Sequence, residues 1–221
     1  MESMYIYFIR HAQSEGNRQK VFQGWSNVSL SEIGKKQVIK LKEHLLHENL
    51  VFDRIYSSPL ARAMETALAL QSCVKTKEII PIDGFKAINV GEWEGIAIET
   101  VKKQLRQEYW NWRNNPGIFC FPGGESIKDV LKRAKLSLLT TILDQNWEKG
   151  AYIAIVTHMV VIRALLIWLL QTNLTRFWDS NHKIPNTGLI LFEAERLKHQ
   201  NEKRYKFTKI PLKNNLFSPL E

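Results

Sequence analysis

Along this chain, short unbroken apolar runs alternate with stretches whose apolar residues recur every three or four positions. The first kind reads as buried strand, the second as amphipathic helix. Met4–Ile9 is such a strand and ends directly on Arg10 and His11. Phe52–Ser57, Glu78–Ile82 and Tyr152–Thr157 read the same way. Thr187–Glu193 and Arg204–Ile210 read as two strands of a hairpin closed by the polar run His199–Lys203. Ser31–His47 places Ile33, Val38, Leu41 and Leu45 at helical spacing behind Ser31, an N-cap residue. A further helix is expected from Pro59 to about Ser72, proline being suited to a first turn. Glu99–Trp112, Ser126–Leu143 and His158–Leu170 complete the helices.

The alternation runs through the chain without repeats, low-complexity tracts or a Pro/Gly/Ser linker. It predicts an α/β fold: a three-layer α/β/α sandwich with a mostly parallel central sheet, one domain over residues 1–221. Ligands of such sheets sit at the carboxyl ends of the strands. That rule selects three segments: Arg10-His11-Ala12-Gln13-Ser14-Glu15-Gly16-Asn17, then Ser57-Ser58-Pro59-Leu60-Ala61-Arg62, and Thr157-His158-Met159.

Composition narrows the class. With 44% hydrophobic and 24% charged residues the chain is neither disordered, collagenous nor coiled-coil. A net charge of +9 implies an acidic partner: nucleic acid, anionic lipid or a phosphorylated small molecule. The basic residues are dispersed, and Lys198–Lys206 is interleaved with Glu202, which reads as a solvated hairpin and not as a nucleic-acid stripe. Met159–Leu170 is too short for a bilayer and carries Arg163, read as a snorkelling or ion-paired structural residue. The N-terminus lacks the pattern of a signal peptide. Cys73 and Cys120 read as reduced thiols. A cytoplasmic, membrane-free protein is expected, as a monomer or homodimer.

Each selected strand end carries a histidine or arginine. Singly, a histidine there is ordinary hydrogen-bonded structure, and a surface arginine is ordinary solvated charge. Two imidazoles and two guanidiniums together suit a phosphate ester: arginine grips phosphoryl oxygens with paired donors, and neutral histidine can attack phosphorus. His11 and His158 lack neighbours at zinc-ligand spacing, apart from Glu15 near His11.

The blocks Arg10-His11-Ala12-Gln13-Ser14, Phe22-Gln23-Gly24, Leu30-Ser31-Glu32-Ile33-Gly34, Ser57-Ser58-Pro59-Leu60-Ala61-Arg62-Ala63, Gly91-Glu92-Trp93-Glu94-Gly95, Pro122-Gly123-Gly124-Glu125-Ser126 and Thr157-His158 occur in that order. In this the sequence resembles the phosphoglycerate-mutase-like histidine phosphatases, from Met4 to about Phe192. The resemblance implies that His11 is the phosphorylated nucleophile, with a backbone carbonyl holding its other N–H. It makes Arg10 and Arg62 the phosphoryl-binding pair, His158 the second phosphate-binding histidine, Asn17 a neutral donor, and Gln23 a pocket residue. It implies no metal or other cofactor, and a small cap of helices and loops at about residues 85–125 over the strand ends. The short Gly91–Gly95 block matches the phosphatase branch rather than the mutases, so a small-molecule phosphate monoester is the expected substrate, with mutase-type phosphoryl transfer as the alternative.

Three positions depart from the family pattern. Ala12 and Met159 stand where glycine usually follows each histidine; both are tolerable if φ stays negative, and Met159 adds bulk at the pocket edge. Ala87 stands where the phosphatase branch has a glutamate that protonates the leaving alkoxide and later activates water. Three readings stay open for it. The alanine was introduced to trap a ligand, another acid (Glu92, Asp83 or Glu125) takes the role, or the chain is a weak or inactive phospholigand-binding member. Finally, Trp110, Trp112, Phe119 and Phe121 belong to the cap by analogy, either packing it or touching a bulky leaving group.

Overall fold

The computed structural model describes residues 3–179, 184–197 and 204–211. The elements are β1 (Ser3–Arg10), α1 (Glu15–Arg18), α2 (Glu32–His47), β2 (Arg54–Ser57), α3 (Ala61–Ala69), β3 (Ile79–Pro81), α4 (Ile98–Gln104), α5 (Arg106–Asn114), α6 (Ile127–Ser137), β4 (Ala151–Thr157), α7 (Met159–Leu169), β5 (Leu189–Leu197) and β6 (Arg204–Ile210). One sheet contains all six strands in the order β3-β2-β4-β1-β5-β6. Its β3, β2, β4 and β1 run parallel, with Ile6 beside Ile153 and Ile55 beside Ala154. β5 and β6 are antiparallel additions on the β1 side.

The central strands read as continuous apolar runs because both sheet faces are covered. Their side chains still alternate. Ile6, Phe8, Ile153 and Ile155 enter one core, with Val130 and Ala134 of α6 and Ile162 and Leu165 of α7. Tyr7, Ile9, Ala154 and Val156 enter the other, with Val38, Leu41 and Leu45 of α2 and Ala63 and Ala67 of α3. The three-layer α/β/α architecture follows.

Several boundaries differ from the sequence expectation. Glu99–Trp112 is two helices, broken where Leu105 takes φ −117° and ψ 52°; no glycine or proline marks the break. Ser126–Leu143 is α6 followed by a π-helical turn, Leu138–Leu143, which keeps Leu138, Ile142 and Leu143 buried. Pro59 precedes its helix: α3 begins at Ala61, after an extended Leu60 whose N–H donates to Ser58 Oγ. The Glu78–Ile82 strand shortens to Ile79–Pro81. Thr187 sits in a turn at φ +59°, so β5 starts only at Leu189. The hairpin connection at His199–Lys203 lies outside the described residues. Among the described residues no helix is long and apolar enough to cross a membrane. Cys73 is buried, Cys120 exposed, and both are free thiols.

Candidate active site

The parallel register brings the three selected strand ends together. The His11 N–H donates to Thr157 O at 2.9 Å, and the Ser58 N–H to Val156 O at 2.9 Å. The loop after β1 is then tied to both helices of one layer. The Ala12 N–H donates to Thr66 Oγ1 at 3.1 Å, and that hydroxyl donates to Arg62 O at 2.7 Å. On the other side α2 approaches so closely that a Cβ on Gly34 would lie 1.9 Å from Gln13 O; only glycine fits there.

Both histidines are buried and their ring centroids lie 5.0 Å apart. His11 Nδ1 is 2.7 Å from Ala12 O. A carbonyl only accepts, so Nδ1 carries the proton and Nε2 keeps the lone pair. Burial holds the His11 pKa well below its ordinary value, with Arg62 and then Arg10 adding to the effect. His158 is pushed the same way, by burial first and then by Arg62 and His11. Both imidazoles are therefore neutral at neutral pH.

Arg62 is buried and clamped: Nη1 donates to Ser26 O and Nη2 to Gly24 O, each at 2.9 Å. Gly24 delivers its carbonyl from φ +51°, where a Cβ would sit 2.4 Å from Glu94 Oε2. Arg10 Nη1 donates to Ile184 O at 2.7 Å. Burial pushes both guanidinium pKa values down to about 10, which leaves them cationic at neutral pH. Arg10 Nε, Arg62 Nε and His158 Nδ1 are buried without a hydrogen-bond partner among the described residues. His158 Nε2 is 2.8 Å from Ser58 Oγ.

Arg10, His11, Asn17, Gln23, Arg62, Ala87, His158 and Met159 all line one cavity of about 240 Å³. Asn17 Oδ1 accepts from Ser14 N and Asn186 Nδ2, each at 3.3 Å, which turns its NH₂ end outward as a donor. Gln23 Oε1 accepts from Ser14 Oγ at 2.7 Å. Ala12 and Met159 are not among the positive-φ residues, so the missing glycines impose no backbone strain.

The acid is a different matter. Ala87 lines the cavity, with its carbonyl pinned by Trp25 Nε1 and Arg133 Nη2, both at 2.7 Å. None of the three substitute acids reaches the cavity. Asp83 is exposed and paired with Lys86. Glu125 receives Arg133 and the Asn89 N–H, holding the Ala87 segment against α6. Glu92 lies exposed on the surface. No Asp or Glu among the described residues lines the cavity.

The aromatic set divides. Trp112 and Phe121 line the cavity, whereas Trp110 is half-exposed and Phe119 packs on Trp93 and Phe121. Arg163 is not a snorkelling residue: it is buried and donates to Phe177 O at 2.6 Å. Sequence reasoning missed Ser58 and Asn186, which hold His158 and the His11 carbonyl. Tyr109 and Arg113, which fall within the expected cap segment, also line the cavity, as does Trp178, which sequence reasoning missed.

A neutral, oriented imidazole beside a second imidazole and two buried guanidiniums is chemically suited to a phosphoryl group. The chain belongs to the histidine phosphatase superfamily (branch 1), whose family model matches residues 6–205. It is 36% identical to phosphoserine phosphatase 1 of Hydrogenobacter thermophilus over 191 residues, 86% of this chain and 88% of that protein. It is 31% identical to the 2,3-bisphosphoglycerate-dependent phosphoglycerate mutase of Rhodopseudomonas palustris over 173 residues, 76% of this chain and 82% of that one. Among solved structures, Bacillus stearothermophilus YhfR aligns with a TM-score of 0.78 at 26% identity, covering 87% of this chain and 92% of YhfR.

Proposed function

We propose that the chain hydrolyses a small-molecule phosphate monoester in two steps through a phosphohistidine on His11. The observation that carries this reading is the Nδ1–H to Ala12 carbonyl bond, which leaves Nε2 as an unprotonated nucleophile beside two cations. In the first step the Nε2 lone pair attacks phosphorus, the ester P–O bond breaks, and its electrons go to the leaving oxygen. Arg10, Arg62 and the His158 N–H hold the three phosphoryl oxygens as charge spreads onto them, with Asn17 as a neutral donor. In the second step water attacks phosphorus, the P–N bond returns its electrons to Nε2, and orthophosphate leaves. The segment at residues 85–125 serves as the cap. The similarity to a phosphoserine phosphatase supports hydrolysis over mutase chemistry, as does the short Gly91–Gly95 block.

With alanine at position 87, the leaving oxygen takes its proton from water and not from a held carboxyl. This makes alkyl esters slow substrates and aryl esters faster ones. The test is mass spectrometry of protein quenched in alkali, where the P–N bond of phosphohistidine survives, after mixing with p-nitrophenyl phosphate. An added phosphoryl group on His11, absent in His11→Ala together with loss of turnover, is the expected result. Turnover that survives His11→Ala overturns the proposal.

A further inference from the structure

The two imidazoles of the site are both buried and neutral, but they are held through different nitrogens. His11 Nδ1 meets the Ala12 carbonyl, which can only accept, so the proton sits on Nδ1 and Nε2 is bare. His158 is held at Nε2, which lies 2.8 Å from Ser58 Oγ. A hydroxyl can donate or accept, so the place of the His158 proton is decided by what else surrounds Ser58.

Ser58 is fully buried. Its N–H donates to Val156 O and its carbonyl accepts from Ser57 Oγ, each at 2.9 Å, which fixes it beside the end of β4. The Leu60 N–H donates to Ser58 Oγ at 3.3 Å. A backbone N–H has no other role, so there the hydroxyl oxygen accepts. The hydroxyl hydrogen then needs an acceptor of its own. Among the hydrogen bonds between described residues, His158 Nε2 is the one that supplies it. With the proton on Nε2 instead, the serine hydrogen would be buried without a partner, an arrangement that costs its desolvation. His158 Nδ1 would then turn a lone pair toward the phosphoryl oxygens and repel them. A carboxylate in place of Ser58 would enforce that wrong arrangement, because it only accepts. No carboxylate among the described residues lines the cavity.

We infer that Ser58 is a positioning residue: its hydroxyl donates to His158 Nε2 and thereby fixes that ring's proton on Nδ1, the nitrogen left to bind a phosphoryl oxygen. His158 Nδ1 is buried and has no partner among the described residues. One carbonyl and one hydroxyl thus divide two neutral rings into a bare nucleophile and a hydrogen-bond donor. The donor role rests on the phosphatase reading above; the tautomer rests on the hydrogen bonds alone. It is read without substrate, by two-bond 15N–1H correlation spectra of histidine-labelled protein at neutral pH, with His158→Gln identifying the His158 signals. The expected result is Nδ1–H on His158 in the unmodified protein and loss of that preference in Ser58→Ala. Nε2–H in the unmodified protein overturns the inference, whether or not Ser58→Ala folds, as does an unchanged Nδ1–H preference in folded Ser58→Ala. With p-nitrophenyl phosphate, Ser58→Ala lowers kcat about 10- to 100-fold with little change in KM, because a donor to the phosphoryl oxygens acts most where charge spreads onto them. Ser58→Thr, which keeps the hydroxyl, restores most of the rate. An unchanged kcat in Ser58→Ala overturns the positioning role. Normal labelling of His11 beside an Nε2–H tautomer on His158 sinks this inference alone. If His11 of the unmodified protein is not labelled, the phosphatase reading fails and the donor role fails with it.

Discussion

Placing a carboxyl at the cavity wall, Ala87→Glu, is the most direct test of how this site handles its proton. Ala87 is 7% exposed and faces the cavity, while its carbonyl is locked by Trp25 and Arg133. The backbone there is therefore already held, and the new side chain extends into open space and not into packed core. A positioned general acid is worth about 10²–10⁴ in rate, equivalent to about 3–5 kcal/mol of activation free energy. The gain depends on the leaving group. An alkoxide needs the proton as the P–O bond breaks, whereas p-nitrophenolate leaves readily without it. The expected outcome is a rise of about 10²–10⁴-fold in kcat on an alkyl ester such as 3-phosphoglycerate. On p-nitrophenyl phosphate the change is small, so the dependence of rate on leaving-group pKa flattens. Phosphate release across a series of aryl and alkyl esters measures both. A steep dependence in the unmodified protein that Ala87→Glu leaves unchanged would refute the reasoning, as would an equal acceleration of aryl and alkyl esters.

Two further outcomes follow from the packing and the electrostatics around His11. Both histidines have native pKa values depressed well below 6.5, so below about pH 6.5 the unfolded chain takes up protons that the native state refuses, and stability falls as pH drops. The slope rises toward about 1.4 kcal/mol per pH unit for each histidine as pH falls well below 6.5. Urea titrations between pH 7 and 5.5 should show it, His158→Asn should lessen it, and a flat profile contradicts the assignment. Gly34→Ala drives a Cβ to 1.9 Å from a backbone oxygen of the His11 loop, so overpacking of about 1–3 kcal/mol is expected together with lost turnover. Wild-type stability and activity in Gly34→Ala count against that close approach.

The parts of this structure that were legible in the sequence are those whose signal is short-range. A fully apolar strand running straight into Arg10-His11 declares both burial and chemistry within a few residues. The paired faces of β1 and β4 follow from the same runs once helices cover both sides. The break at Leu105 left no trace, because no glycine, proline or capping side chain marks it. Its effect is large: it turns α5 so that Trp112 faces the core and cavity. Trp110 and Trp112 stand two positions apart on that helix, about 200° around its axis, so only one of them can line the cavity. That division was implicit in the spacing. The Arg113–Trp178 wall was not, because it joins α5 to a loop beyond α7 that matches no motif and is brought near only by the fold. The same holds for Ser58 on His158 and Asn186 on the His11 carbonyl: each is an ordinary residue until a distant backbone places it.

The distribution of unpartnered donors explains why the cage is built from clamped arginines and not from flexible lysines. Arg62 gives two of its nitrogens to the carbonyls of Gly24 and Ser26, and Arg10 gives one to Ile184. Those bonds fix each guanidinium plane before substrate arrives, so little side-chain freedom remains to be lost on binding. Among the donors each arginine retains is a buried Nε with no partner, and His158 has a buried Nδ1 with none. A buried donor without a partner costs about 1–3 kcal/mol, and a phosphoryl group is a chemical partner that satisfies several such donors at once. A lysine is held less well this way, since its three donors radiate from one ammonium on a flexible stem and lack the planar fork that aims some at carbonyls and others at the phosphoryl oxygens. The same packing prepares His11 for the role of nucleophile proposed above. Desolvation by the same packing that clamps the arginines removes the proton from His11 Nε2, and the two fixed cations reinforce it. Positioning, charge and nucleophile activation thus share one cause, the close packing of three strand ends beneath α3. A carboxyl is the component this packing does not supply: none lines the cavity among the described residues, and Ala87 forms part of its wall.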